Sequence, residues 1–323
     1  MNDQRRNCLP TTTPNWASKG IVFATATLLF ALSGCAPSAL RDEANSIREY
    51  YRTHDKPEFQ FSRHGALNLR YVESGDPEKP AVVFLHGTPG DWTFLASYVN
   101  EPTLQSEAHL VAVDRPGWGG STFDNGEFEP GIEAQSRLMG DWLCDVAAAS
   151  ATGGVILVGH SFGGTLAPRL AMDHPDCVDA VLILASPLDP ALASPRWYNQ
   201  VARVPPFGWL ADVTLGGGMR QSNKEMMILK PELEKMRPLW ADLKQAVIVI
   251  QGGKDGLVNP HHADFAERML PVENRHIIRL PDDDHFFLYS NKELVLQQIR
   301  SLLDSGTGEA RSALGHVDSE PTL

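Results

Sequence analysis

The chain is short of three things, and each shortage removes a class of protein. Cysteine is scarce, with four in 323 residues and none in a C-x-x-C pair. That excludes a zinc ribbon, a thioredoxin-type redox pair and a disulfide-dense scaffold. Long apolar runs are missing as well: residues 20–32 make thirteen mostly apolar positions, fewer than the roughly 20 that a permanent membrane span needs. Positive charge is outweighed, 28 Lys and Arg standing against 40 Asp and Glu for a net charge of -12. A chain of that sign lacks a surface that tracks phosphates, so nucleic acid is not an expected partner. What remains is a globular composition, 42% apolar with 27 Gly and 23 Pro and no repeat, long enough for two domains or for one with an insertion.

The N-terminus reads as an export signal. Arg5, Arg6 and Lys19 precede the apolar run, and Ser33 and Gly34 follow it. Leu32-Ser33-Gly34-Cys35 resembles the lipobox of bacterial lipoproteins. The resemblance implies cleavage after residue 34 and a diacylglyceryl group on Cys35, making residues 1–34 a signal peptide and Cys35 the site of lipidation. Two or three acyl chains, at about 0.8 kcal/mol per buried methylene, hold a protein stably on a membrane. Alanine at position 36 resembles the outer-membrane sorting rule, which implies the periplasmic side of the outer membrane. Cys144 and Cys177 would then remain in a compartment that permits disulfides. Nothing in the sequence fixes their separation, so they are read as two separate buried thiols, with pairing as the alternative.

Residues 35–57 are polar and charged and read as a tether or spacer holding at most a helical turn. Beyond it, short apolar runs at 67–73, 81–85, 110–113, 155–158, 181–185, 247–250 and 276–280 alternate with helical patterns at 132–149, 162–174, 262–270 and 292–303. Alternation of this kind predicts an α/β fold, with a mostly parallel central sheet covered by helices on both faces. Residues 186–245 interrupt the rhythm, too long for a loop. With Trp197, Tyr198, Trp209, Trp240 and four Met, they read as a helical cap inserted between core strands, leaving 58–185 and 246–304 as the core. Residues 305–323 are polar, rich in Gly and Ser, and read as a disordered tail.

Gly159-His160-Ser161-Phe162-Gly163 lies between a predicted strand and a predicted helix, the context that a G-x-S-x-G nucleophile elbow requires. The turn forces the serine into a strained backbone, and glycines two residues either side let neighbouring chain pass. The hydroxyl then stands at the C-terminal end of the sheet and at a helix N-terminus, where developing negative charge is favoured. Here the chain resembles the α/β-hydrolase fold family over roughly residues 58–304. His86-Gly87-Thr88-Pro89-Gly90 looks like its oxyanion loop, and Asp114-Arg115-Pro116-Gly117-Trp118-Gly119-Gly120-Ser121 like its D-x-x-G-x-G-x-S turn.

A serine hydroxyl needs a base, so an acid and a histidine should follow in the order Ser, Asp, His. Asp255, in Gly252-Gly253-Lys254-Asp255-Gly256, and His285, after the next strand, match the family's acid and base. Asp189 is the rival acid; His261, His262 and His276 are rival bases placed on a helix or in a strand. In the implied mechanism Ser161 attacks a carbonyl, His285 transfers its proton, and Asp255 holds the imidazole tautomer. Backbone N–H groups of Thr88 and Phe162 would bind the oxyanion, and His86 would order its loop. Asp282, Asp283 and Asp284 precede His285 and are expected to favour its protonated form.

Serine at 161 removes the dehalogenase and epoxide hydrolase branches of the family, whose nucleophile there is aspartate. What remains is acyl chemistry without a cofactor or metal: a serine hydrolase cleaving a carboxylic ester of a small or medium hydrophobic substrate. Aminopeptidase action, for which HGTPG resembles the HGGPG of proline iminopeptidases, is an alternative, as are C–C bond hydrolysis and perhydrolase activity. A lipoprotein using the fold only to bind a ligand or partner is the alternative outside enzymes.

Overall fold

A computed structural model describes residues 38–55, 57–195, 199–200, 204, 209 and 218–306. The expected signal peptide, the Cys35 lipidation site, Trp197 and Tyr198, and the tail from 307 lie outside these residues.

The apolar runs become strands: β1 Phe59–His64, β2 Leu67–Gly75, β3 Ala81–Leu85, β4 His109–Val113, β5 Thr122–Phe123, β6 Val155–His160, β7 Val178–Leu184, β8 Ala246–Gly252 and β9 Arg275–Leu280. They join one sheet in the order β1-β2-β4-β3-β6-β7-β8-β9, with β5 paired to β2. From β4 to β9 every pairing is parallel; β2 runs antiparallel to β1, β4 and β5. Strand residues alternate between two cores, one holding Val83, Leu85 and Leu157, the other Val82, Phe84 and Val158. Burial on both faces is why these strands read as unbroken apolar runs.

The longer helices are α1 Ser38–Thr53, α2 Ile132–Ala149, α3 Phe162–Asp173, α4 Met219–Met236, α5 His262–Met269 and α6 Lys292–Gly306. Pro168 sits inside α3, which continues as a helix to Asp173. The chain order places β3 and β6 side by side at the point where the winding reverses, and ligands in open α/β sheets bind outside the strand ends at such a switch. His86 follows β3, Ser161 follows β6, Asp255 follows β8 and His285 follows β9.

Three expectations are corrected. Residues 38–53 are a helix rather than spacer, because Ile47 and Tyr51, four apart, pack one face on the core; Tyr51 Oη also accepts a 2.8 Å hydrogen bond from Asn100. Cys144 and Cys177 are a disulfide, not two thiols: α2 and the turn after α3 meet with Cα atoms 5.1 Å apart, within disulfide reach. The C-terminal helix continues through 305 and 306, where the tail was expected to begin. Within 186–245 the long helix α4 is present, but Leu233, Met236 and Trp240 are buried in the main core, so this end of the segment is part of the body.

Candidate active site

The turn after β6 has the geometry its glycines foretell. Ser161 is held at φ 55°, ψ -121°, a region that costs a non-glycine residue on the order of 1–3 kcal/mol. A Cβ on Gly159 would run into the Gly163 carbonyl, and one on Gly163 into the Leu85 carbonyl. The elbow therefore tolerates no side chain where it passes β3. Phe162 is the first residue of α3, so its N–H has no partner inside the helix. The loop after β3 comes equally close: a Cβ on Gly87 would lie 3.0 Å from the Ser161 Cβ.

Two strands along from β6, at the same edge of the sheet, two loops are stitched together. Gly253 N–H donates to the Leu280 carbonyl at 2.7 Å and Lys254 N–H to the Asp283 carbonyl at 2.9 Å. This brings Asp255 to His285, whose Nδ1 lies 2.8 Å from Asp255 Oδ2. Asp255 Oδ1 accepts from the N–H groups of Leu257 and Val258, both at 2.8 Å, and Gln251 Nε2 donates to Oδ2 at 3.2 Å. Burial alone would raise the Asp255 pKa; the His285 hydrogen bond and charge and the two backbone donors outweigh it and hold the carboxyl below its usual range. An ionised carboxylate on Nδ1 leaves Nε2 as the nitrogen that can take a proton.

Ser161, His285, Thr88 and Phe162 line one cavity of about 470 Å³. Among the described residues no hydrogen bond joins Ser161 Oγ to His285, so the structure pairs Asp255 with His285 and places Ser161 in the wall of the same cavity. Met219, Met226 and Leu229 of α4 face the cavity from the cap side. A second, open groove of about 610 Å³ is lined by charged groups of α2, α3 and α4, including Glu133, Arg169 and Glu232, and holds none of these residues.

The profile of the alpha/beta hydrolase family matches residues 82–298. The chain belongs to that family. Epoxide hydrolase 3 of Xenopus tropicalis is 30% identical over 152 residues, which are 47% of this chain and 37% of that protein. The poly(3-hydroxyalkanoate) depolymerase of Ectopseudomonas oleovorans is 25% identical over 261 residues, covering 72% of this chain and 87% of the depolymerase. Apart from the depolymerase, the chain spans roughly a fifth to two fifths of the length of these curated relatives. Among solved structures, a membrane phospholipase A described as a bacterial virulence factor superposes with TM-score 0.60 at 17% identity, covering 90% of this chain and all of that one. Epoxide hydrolase from Vigna radiata gives 0.62 at 16% identity, covering 78% and 99%. At such identities the structural likeness speaks for the fold.

In this alpha/beta hydrolase the rivals Asp189 and His261 are engaged with other partners, while His262 lines the cavity. Asp189 approaches Arg268 at 3.3 Å and caps the Ala191 N–H at 2.9 Å. His261 is exposed and pairs with Asp264. His86 is fully buried, its Nε2 accepting the Arg115 N–H at 3.0 Å and its Nδ1 donating to the Gly87 carbonyl at 2.8 Å. Burial, then the Arg115 charge, push its pKa well below the usual value, so it orders the loop as a neutral ring. The three aspartates before His285 are turned to other groups: Asp282 to Lys254, Asp283 to Asn291 and Asp284 to the Phe286 N–H. The expected crowding of carboxylates on the imidazole is therefore not how the loop is built.

Two functional features escaped the sequence. His160, inside the elbow motif, donates from Nε2 to the His285 carbonyl at 3.1 Å, and burial lowers its pKa to about 3. Arg115 and Glu225, both fully buried, form an ion pair at 2.7 Å that ties α4 to the loop after β3. Arg115 also donates to the carbonyls of His86 (2.9 Å) and Gly87 (3.0 Å), while Trp118 and Gln135 donate to Glu225 at 3.0 Å. Because C=O and N–H point opposite ways across a peptide, holding the Gly87 carbonyl fixes the direction of the Thr88 N–H. The Asp-Arg-Pro-Gly motif was visible, but its partner 110 residues away was not.

Proposed function

We propose that this chain is a serine hydrolase that cleaves a carboxylic ester of a small or medium, largely apolar substrate through an acyl-enzyme on Ser161. The observation that carries the reading is the 2.8 Å pairing of His285 Nδ1 with Asp255 at the cavity that also presents Ser161 on a strained elbow. In this reading His285 Nε2 takes the hydroxyl proton as Oγ bonds to the carbonyl carbon, then returns it to the departing alkoxide. Water repeats the sequence and frees the acid. The N–H groups of Thr88 and Phe162 receive the oxyanion, each donor contributing about 3 kcal/mol to the transition state.

The epoxide chemistry in the names of several relatives does not suit a hydroxyl nucleophile. Opening an epoxide with a serine would leave an ether, which the same base and water have no carbonyl to attack. Ester cleavage, the chemistry of a polyester depolymerase and of a phospholipase A, suits it. Apolar cap residues Met219, Met226 and Leu229 suit a hydrocarbon arm.

A fluorophosphonate probe is expected to label the purified protein, and Ser161→Ala to abolish labelling together with at least a thousandfold of the p-nitrophenyl esterase activity. No labelling, or labelling indifferent to Ser161→Ala, would favour a binding role; aminoacyl anilides cleaved in preference to esters would move the reading to peptides. We further propose that the mature chain begins at a lipidated Cys35 and is held on a bacterial membrane, on the periplasmic side of the outer membrane. Intact mass tests this, and a mature N-terminus elsewhere rejects it.

A further inference from the structure

One histidine in the cavity wall has no task in this reaction. His262, the first residue of α5, is 2% exposed and lines the same cavity as Ser161 and His285. Its Nδ1 accepts the backbone N–H groups of Leu188 at 3.1 Å and Asp189 at 2.9 Å, where the chain leaves β7. A ring nitrogen that accepts carries no proton, so in the neutral ring the hydrogen sits on Nε2. Burial lowers the His262 pKa to about 4 against the opposing charges of Asp189 and Asp255, and the ring stays neutral near pH 7. Nothing among the described residues accepts from Nε2, because the bonds of this ring are the two at Nδ1. Of the other polar side chains lining the cavity, Asn223 and Asn199 bond each other at 2.9 and 3.1 Å and Asn259 Oδ1 accepts the His261 N–H at 3.0 Å, while Thr88 Oγ1, beside Ser161, has no partner among the described residues. Around them the wall is apolar, with Leu192, Ala193, Met226 and Val258.

We propose that His262 Nε2–H is a fixed hydrogen-bond donor in the substrate cavity, and that it selects esters whose acyl arm carries a second acceptor oxygen (hydroxyl, ether or carbonyl) in place of a methylene. This rests on the ester reading above. A hydrocarbon arm lying against Nε2 strips its water and leaves a buried donor unpaired, whereas an arm with an oxygen at the right position restores the bond. The acyl arm is the one that stays joined to Ser161 between the two half-reactions, so a donor aimed at it acts in both. The two backbone N–H groups on Nδ1 hold the ring plane and its tautomer, so the donor direction is set before substrate arrives.

The test is a series of p-nitrophenyl hexanoates in which an ether oxygen replaces the third, fourth or fifth chain atom. Each kcat/KM is divided by the hydroxide rate of the same ester to remove inductive effects. One oxygen position is expected to exceed the all-carbon ester about tenfold, the size of one neutral hydrogen bond. In His262→Asn an amide oxygen can still accept at the Nδ1 place but nothing reaches the Nε2 place, and the preference is expected to fall to about twofold or less. A preference that survives in His262→Asn overturns the proposal, as does a flat series in the wild type. If His262→Asn melts below the assay temperature the wild-type series decides: a maximum at one position supports the proposal and a flat series rejects it. Release of p-nitrophenolate from none of the esters would sink the ester reading and this inference with it, while equal release from all of them sinks this inference alone.

Discussion

The cavity has two walls, and they are held by different means. On the sheet side, Ser161, Asp255 and His285 stand on turns directly after β6, β8 and β9, and backbone hydrogen bonds between adjacent loops bring Asp255 to His285. On the cap side, α4 is joined to the loop after β3 through side chains, above all the buried Arg115–Glu225 pair with Trp118 and Gln135 around it. Backbone stitching depends on few residue identities, glycines apart; a buried charge network depends on every member. Substitutions should therefore separate the walls: on the sheet side they cost rate with the fold intact, and on the cap side they cost stability.

Asp255→Asn is the largest break on the sheet side. Asparagine can still accept from the Leu257 and Val258 N–H groups, so the loop should persist, but its amide cannot stabilise an imidazolium and favours the wrong tautomer of His285. A fall in kcat of about 10⁴ is expected, with little change in melting temperature. A variant that unfolds instead would mean the Asp255 loop resembles the cap side. On that side, Glu225→Ala strands the Arg115 guanidinium and should cost about 3–5 kcal/mol of stability. Removing both charges in Arg115→Met with Glu225→Leu should give back a clear part of that loss, measured by denaturant midpoints as a double-mutant cycle. Losses that merely add would show that the pair is not the tie between cap and loop.

The same division explains what could be read in advance. The strands, the elbow, Asp255 and His285 were legible because each is marked within a few residues: an apolar run buried on both faces, then Gly, Pro or Asp at a turn. Thr88 and Phe162 were legible as cavity residues in the same way, since each is placed by its turn. Tertiary pairings were not legible. Cys144 and Cys177 are 33 residues apart and only helix packing closes the gap. Glu225 carries no local mark in the sequence, and its partner Arg115 lies 110 residues away. His262 was set aside as a base for sitting at a helix start, and its Nδ1 contacts come from a loop 73 and 74 residues earlier. Residues 38–53 were read by charge, although Ile47 and Tyr51 carry the helical spacing that seats them on the core.

The smallest effect expected is one of pH, and it crosses both walls. His160 sits in the elbow and His262 at the cap-facing edge, and burial sets their pKa values near 3 and 4. In the unfolded chain both should titrate near 6.5. Above that pH neither state carries the proton and the two rings contribute nothing to the pH dependence. As pH falls from 6.5 towards 4 the unfolded chain takes up protons at these two rings, and at the buried His86, that the folded one refuses, so stability drops with a slope approaching about 1.4 kcal/mol per pH unit for each ring. Asp255 acts with the same sign but lower down: its depressed pKa contributes stability above the unfolded value near 4, lost as pH falls through the folded one. Relief of negative charge works the other way in a chain of net charge -12, and salt near 0.15 M screens most of it. Denaturant midpoints between pH 7 and 5 should therefore fall in the wild type, and fall less steeply in His160→Asn and in His262→Asn. A stability flat across that range would show that these rings take up their protons without unfolding; where stability still falls, a variant whose slope matches the wild type identifies a ring that does so.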